Sequence, residues 1–311
     1  MTAVGCPACG GEVGAGDHYC EACGADLTAP STADVPVVPG RWLTSVGGVT
    51  TCAGCGGTGF SPEGYCENCG ERRGSAKDHA ELDLGPLAAA TDRGLRHHRN
   101  EDAVGLGLVG DLAVAIVCDG VSSSDRPDSA SCGAVTAAVT ALDRALRDGA
   151  APADAIGAAT RAAQAAATLA AGPQPGENPP SSTFVCAVVG PDAVTVGWVG
   201  DSRAYWVPAG GEPECLTVDD ARAGALLRWL GADAPDTRPH VRAIIPAGPG
   251  RVLVCSDGLF KYPTALAGAT VDGAPLANVQ SLVRLALDAG GADNITAAFL
   301  PYPAPTDQEQ P

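Results

Sequence analysis

Acidic residues stand at the ends of apolar runs at five places in the 311-residue chain. LAVAIVCDG ends in Asp119-Gly120, and RVLVCSDG ends in Asp257-Gly258. Asp201 lies between the two runs of WVGDSRAYW, Asp293 opens DNITAAF, and Glu101-Asp102 precede AVGLGLV. A single Asp-Gly reads as a turn. Repeated at strand ends, such acids can be gathered on one rim of a sandwich. Several carboxylates without matching bases demand a compensating cation. An all-oxygen set suits Mg2+ or Mn2+, not zinc.

Eight of the 13 cysteines carry a second chemistry. CPACGGEVGAGDHYCEACG supplies Cys6, Cys9, Cys20 and Cys23, and CAGCGGTGFSPEGYCENCG supplies Cys52, Cys55, Cys66 and Cys69. Both sets have the spacing C-x2-C-x10-C-x2-C. Each C-x2-C puts two thiolates on one knuckle, and two knuckles complete a tetrahedron around Zn2+. The rival use is a disulfide scaffold, which a reducing compartment disfavours. Modules this small have almost no core, so zinc is expected to supply their folding energy. A zinc closed by four thiolates has no open position for catalysis, which leaves docking, autoregulation or scaffolding. His18 is expected to be a surface residue, since four cysteines already fill its site. Cys118, Cys186 and Cys255 lie in apolar runs and read as buried thiols. Cys132 and Cys215 show no metal spacing.

The elements that must position these groups are short. Strands are expected at 87–91, 103–108, 112–118, 183–190, 193–200, 203–207, 240–245, 251–255 and 294–300, from their Val-rich runs of strand length. Two alanine-rich helices are expected at about 129–147 and 152–170, and a third at 275–289 closing in Gly290-Gly291. Many short strands with few, segregated helices predict an α+β fold. The domain reading is 1–29 and 49–73 for the two cysteine modules and 82–302 for one large domain. Residues 30–48 and 74–81 read as linkers, and 303–311 as a flexible tail. The Pro-rich 30–48 stretch is expected to be extended, with Trp42 in a packing role.

The formal net charge is −17, which repels nucleic acid and anionic lipid at long range. No nucleic-acid or membrane partner is expected. No apolar run reaches the ~20 residues of a membrane span. The opening MTAVGCPACG has neither a basic start nor an apolar segment, so a cytoplasmic location is expected.

The segment Leu82–Leu300 resembles the PPM/PP2C family of metal-dependent Ser/Thr protein phosphatases. GLRHHRNED, VCDG, SST, GDSRAY, VCSDG and ADNIT occur in the family's order. The resemblance implies a β-sandwich of two antiparallel sheets flanked by helices, with a binuclear metal centre at one end. It implies that Asp119 bridges two Mn2+ or Mg2+ ions and that the Gly120 carbonyl touches one of them. Asp257 and Asp293 would complete the first site, and Glu101 would serve the second. Asp102 would be a supporting acid, Asn294 an outer-shell group, and Asp201 the aspartate of a third, weaker site. Ser182-Thr183 would serve packing and hydrogen bonding. The cysteine modules resemble tandem zinc ribbons, which implies two structural Zn2+ ions. Phosphorylated proteins, with a cognate Ser/Thr kinase and its substrates, are the implied partners. The alternative is a pseudophosphatase or phosphoprotein-binding scaffold.

Three features depart from the family pattern. His97 stands four residues before Glu101, where an arginine usually grips phosphate, with Arg96 and Arg99 beside it. Val121 follows Asp119-Gly120 and cannot act as a general acid. The stretch from Asp220 to Arg228 reads as too short for a flap, which predicts an open site suited to protein substrates. None of these removes a candidate ligand.

Overall fold

The computed structural model describes residues 41–46, 67–69 and 78–303, together with 4–5 and 12–14. The chain divides into two units, Met1–Pro39 and Gly40–Pro311. In the first, β1 (Val4–Gly5) pairs antiparallel with β2 (Glu12–Val13). Cys6, Cys9, Cys20, Cys23, Cys52, Cys55 and Cys66 lie outside the described residues, and Cys69 is exposed.

In the second unit the chain runs through β3 (Arg41–Thr44), β4 (His79–Asp83), β5 (Ala88–Asp92), β6 (Ala103–Val109) and β7 (Leu112–Cys118). Helices α1 (Pro127–Arg147) and α2 (Pro152–Ala170) follow. Then come β8 (Ser181–Ser182), β9 (Phe184–Val189), β10 (Val194–Val199), β11 (Arg203–Pro208) and β12 (Glu214–Cys215). An irregular stretch carries β13 (Ala221–Arg222), β14 (Ala225–Leu226) and β15 (Leu230–Gly231). The last elements are β16 (His240–Ile244), β17 (Gly250–Cys255), α3 (Asp257–Phe260), α4 (Pro263–Leu266), α5 (Pro275–Asp288) and β18 (Ile295–Tyr302).

Two six-stranded antiparallel sheets result, in the orders β16-β10-β9-β7-β6-β3 and β12-β11-β17-β18-β5-β4. Their inner faces share one core, in which Val104, Leu106 and Val185 meet Val252, Val254 and Leu300. Helix α1 packs Val135 and Val139 against Gly105 of β6, and α2 packs Ile156 against Gly197 of β10. On the other side α5 sets Val279, Leu282 and Ala286 on Leu253 and Phe299. The central strands are covered on both faces, so they read as unbroken apolar runs rather than alternating ones. Length and valine content separated them from helices.

The fold is the expected α+β sandwich, with every expected strand and helix present within a few residues. Two segments read as linkers carry strands. Arg41–Thr44 pairs with β6, because Gly105 and Gly107 leave room there for Thr44 and the Trp42 indole. His79–Asp83 pairs with β5 at the sheet edge, where exposed His79, Glu81 and Asp83 alternate with inward Ala80 and Leu82. Among the described residues, no helix is long and apolar enough to cross a membrane.

Candidate active site

The sandwich brings the strand-end acids to one end. Asp119 directly follows β7, and its backbone is held twice by Thr183: Thr183 N donates to the Asp119 carbonyl (2.7 Å), and Asp119 N donates to Thr183 Oγ1 (3.0 Å). Thr183 Oγ1 also meets Ser202 Oγ at 2.7 Å, beside Asp201 between β10 and β11. The Ser182-Thr183 pair thus serves hydrogen bonding through Thr183, while Ser182 Oγ is buried without a hydrogen-bond partner among the described residues. Gly120 N donates to the Glu101 carbonyl at 3.1 Å, and a Cβ on Gly120 would lie 2.7 Å from that same oxygen. A larger residue at this position would force the Asp119 and Glu101 segments apart.

Asn294 ties the acids of the first strands to those of the last. Its Oδ1 accepts from Glu101 N (2.8 Å), and its Nδ2 donates to the carbonyls of Arg93 (2.7 Å) and Arg99 (3.1 Å). The loop bearing His97 is therefore clamped beside Asp293. Asp102 points inward, where Ser256 Oγ (2.8 Å) and Thr296 Oγ1 (2.6 Å) donate to its Oδ2. Its Oδ1 is buried without a hydrogen-bond partner among the described residues. Helix α3 begins at Asp257 and packs so closely on β18 that a Cβ at Gly258 would sit 1.9 Å from the Asn294 carbonyl.

Electrostatics mark this end. Burial, then the charges of Asp102, Asp257, Asp293 and Asp201, push the Asp119 carboxyl well above the usual range. Burial raises Asp201 to about 6, with Asp257 and Asp219 adding to it. Burial raises Asp102 to about 7 against its two hydroxyl donors. Burial also raises Asp257, an effect opposed by Lys261.

Basic side chains lie among the acids. His97 approaches Asp293 Oδ1 through Nε2 (3.1 Å) and Glu101 Oε2 through Nδ1 (3.7 Å). Lys261 Nζ lies 2.6 Å from Asp257 Oδ2 and 3.1 Å from Asp293 Oδ2. As these side chains stand, no three His, Cys, Asp or Glu residues among those described converge as metal ligands would. The donor chemistry nevertheless fits a hard cation: oxygens only, charge in excess, and a buried Asp102 oxygen left unpartnered.

The spacing-based reading missed two groups. Ser122 Oγ donates to Glu101 Oε2 at 2.7 Å, so the Val121–Ser124 stretch contributes a hydroxyl that orients the Glu101 carboxylate. Lys261 was also missed; its place four residues after Asp257, on a helical turn, was the available signal. Residues 220–228, expected to be too short for a flap, still carry a two-residue ladder of their own. Ala221–Arg222 and Ala225–Leu226 form a hairpin, turning at Ala223 (φ 52°) and Gly224 (φ 80°). The rest of the excursion is anchored by β15, which pairs with β8. Leu226 and Trp229 line a cavity of about 430 Å³ with Val121, Ser123 and Pro179. A short hairpin needs little sequence because its tight turn is made by residues with positive φ.

The protein phosphatase 2C family model matches residues 93–286. The fold and the acidic end define the class, and the chain belongs to the protein phosphatase 2C family; it is a metal-dependent protein serine/threonine phosphatase. Among solved structures, it resembles the PPM Ser-Thr phosphatase MsPP from Mycobacterium smegmatis in complex with cacodylate, at 27% identity and a TM-score of 0.55. That match covers 70% of this chain and 98% of the other. The Mycobacterium tuberculosis serine/threonine phosphatase PstP/Ppp matches at 25% identity and a TM-score of 0.56, covering 68% of this chain and 96% of its own. Serine/threonine phosphatase Stp1 from Staphylococcus aureus shares the fold at 20% identity and a TM-score of 0.58, over 71% and 96%. No curated protein matches the chain.

Proposed function

We propose that the acidic end hydrolyses phosphoserine and phosphothreonine in proteins with Asp119 as the central ligand. The observation that carries this reading is the fixed Asp119 backbone beneath a carboxyl that burial, and then the charges of four other aspartates, push well above its ordinary range. Divalent cations, when bound, neutralise phosphate charge and make water a nucleophile near neutral pH. Asp119, the Gly120 carbonyl, Asp257 and Asp293 would hold one Mn2+ or Mg2+. Glu101, with Asp119, would hold a second, and Asp201 a third, weaker one. Ser122 orients Glu101, Asn294 fixes the loop that carries it, and Asp102 stiffens the joint between β6 and β18. His97 is the candidate donor to substrate phosphate, with Arg96 and Arg99 next to it.

The cavity beside Val121 and Trp229 supports a protein substrate, because it can take residues flanking the phosphorylated side chain. The eight cysteines at repeated spacing support two structural zincs in ribbons that dock partners or regulate the phosphatase. A Ser/Thr kinase and its substrates in the cytoplasm are the partners this reading favours.

The test is hydrolysis of a phosphoserine peptide with and without Mn2+. The wild-type chain turns over only with the metal, and Asp119→Asn does not, while its circular dichroism is unchanged. A wild-type chain that binds Mn2+ and phosphopeptide without turnover would make it a scaffold. Elemental analysis of reduced protein, purified without chelator, should return about two zincs per chain.

A further inference from the structure

Lys261 closes the acidic end from the side of α3. Its ammonium touches one oxygen of Asp257, one helical turn earlier, and one of Asp293, from the loop before β18. The second oxygen of Asp293 faces His97. The close approach of Gly258 to the Asn294 carbonyl keeps α3 against the start of β18, so Lys261 stays opposite Asp293. The lysine side chain is still 52% exposed, which leaves it a path into solvent.

We propose that Lys261 is a built-in counter-cation of the Asp257–Asp293 pair and sets how tightly the centre takes a divalent ion. The inference rests on reading those two aspartates as cation ligands. An ammonium and a divalent cation repel each other and compete for the same oxygens. The metal therefore binds only as Lys261 rotates outward and gives up both ion pairs. The lysine keeps the two carboxylates ordered in the meantime, at the expense of metal affinity. It thereby acts as a positioning residue, and metal affinity is its readout.

Calorimetric titration of Mn2+ into the zinc-loaded full-length chain, freed of other divalent ions, tests this directly. Lys261→Gln and Lys261→Met should each bind Mn2+ about tenfold more tightly than wild type at low ionic strength, a gain equivalent to losing two partly exposed ion pairs. The difference should shrink with added salt, as the ion pairs are screened. Lys261→Arg, which keeps the charge, should stay near wild type. Equal affinity for wild type and both neutral variants, or weaker binding by them, overturns the proposal. Asp119→Asn tests the underlying site separately. If it binds Mn2+ as wild type does, the ligand reading has failed, and the role of Lys261 falls with it.

Discussion

The indole Nε1 of Trp42 donates to Asp143 Oδ1 at 2.9 Å, a residue 101 positions later in the chain. The ring lies over Gly107 of β6, where an added Cβ would meet a ring atom at 2.4 Å. Asp143 is buried on α1, and its other oxygen takes Arg147 Nε at 2.8 Å. Arg41–Thr44, between the two cysteine sets, is thus an edge strand of the phosphatase sheet, locked by one side chain wedged between sheet and helix. Ser45 extends the lock: its N donates to the Val104 carbonyl (2.9 Å), and its Oγ accepts from Val104 N (3.0 Å).

Trp42→Ala should destabilise the second unit by about 3 kcal/mol, from lost aromatic packing and an acceptor stripped of its donor. Trp42→Phe, which keeps most of the ring, should cost about 1–2 kcal/mol. Urea midpoints measure both, and unchanged midpoints would show that β3 does not hold the sheet edge.

Asn294→Ala removes three hydrogen bonds that tie the His97 loop and Glu101 to β18. Turnover should fall at least about tenfold through misplacement alone, since no reacting atom is deleted. Asn294→Asp keeps the acceptor for Glu101 N but loses both donated bonds, so its kcat should lie between those of wild type and Asn294→Ala. Steady-state kinetics at saturating Mn2+ reads the order of the three proteins.

The acidic end makes stability depend on pH when metal is absent. Native values of about 6 for Asp201 and about 7 for Asp102 exceed those of an unfolded aspartate. The folded chain therefore binds more protons than the unfolded chain between that ordinary range and the raised values. Stability falls as pH rises through this window. Asp201→Asn should flatten the fall by on the order of 1–3 kcal/mol at pH 8. Bound Mn2+ should offset it, because the cation favours the charged carboxylates. Urea midpoints from pH 5 to 8, with and without Mn2+, check the sign; a metal-free chain that gains stability with pH would contradict it.

Trp229 lines the cavity beside the site, held by its Nε1 donating to Asp233 Oδ1 at 2.9 Å. Trp229→Ala should raise KM for a phosphopeptide about 3–10-fold, the size of one lost apolar contact. The change for a small aryl phosphate, which has no flanking residues, should be smaller. Equal effects on both substrates would mean that the cavity does not receive the peptide.

The sequence by itself determined the local facts. Apolar runs of strand length and alanine-rich helical stretches carry their own patterns, so the main strands and helices were legible. The acids Glu101, Asp119, Asp201, Asp257 and Asp293 were legible as candidates because an acid at the end of an apolar run stands out, and their order matches one family. The eight cysteines were legible as candidate zinc ligands for the same reason: spacing along the chain is the signal.

Contacts between distant segments carry no such local pattern, and tertiary structure alone decided them. Trp42 reads as one aromatic in a Pro-rich stretch until Gly107 and Asp143 make a place for it. Ser122 became visible only when folding set it on Glu101, and Lys261, already four residues after Asp257, gained Asp293 only then. The hairpin at Ala221–Leu226 escaped the length argument because a turn made by Ala223 and Gly224 depends on backbone angles rather than residue count. Proximity between residues far apart in the chain depends on which strands become neighbours, and sheet order is a property of the packed core rather than of any stretch of sequence.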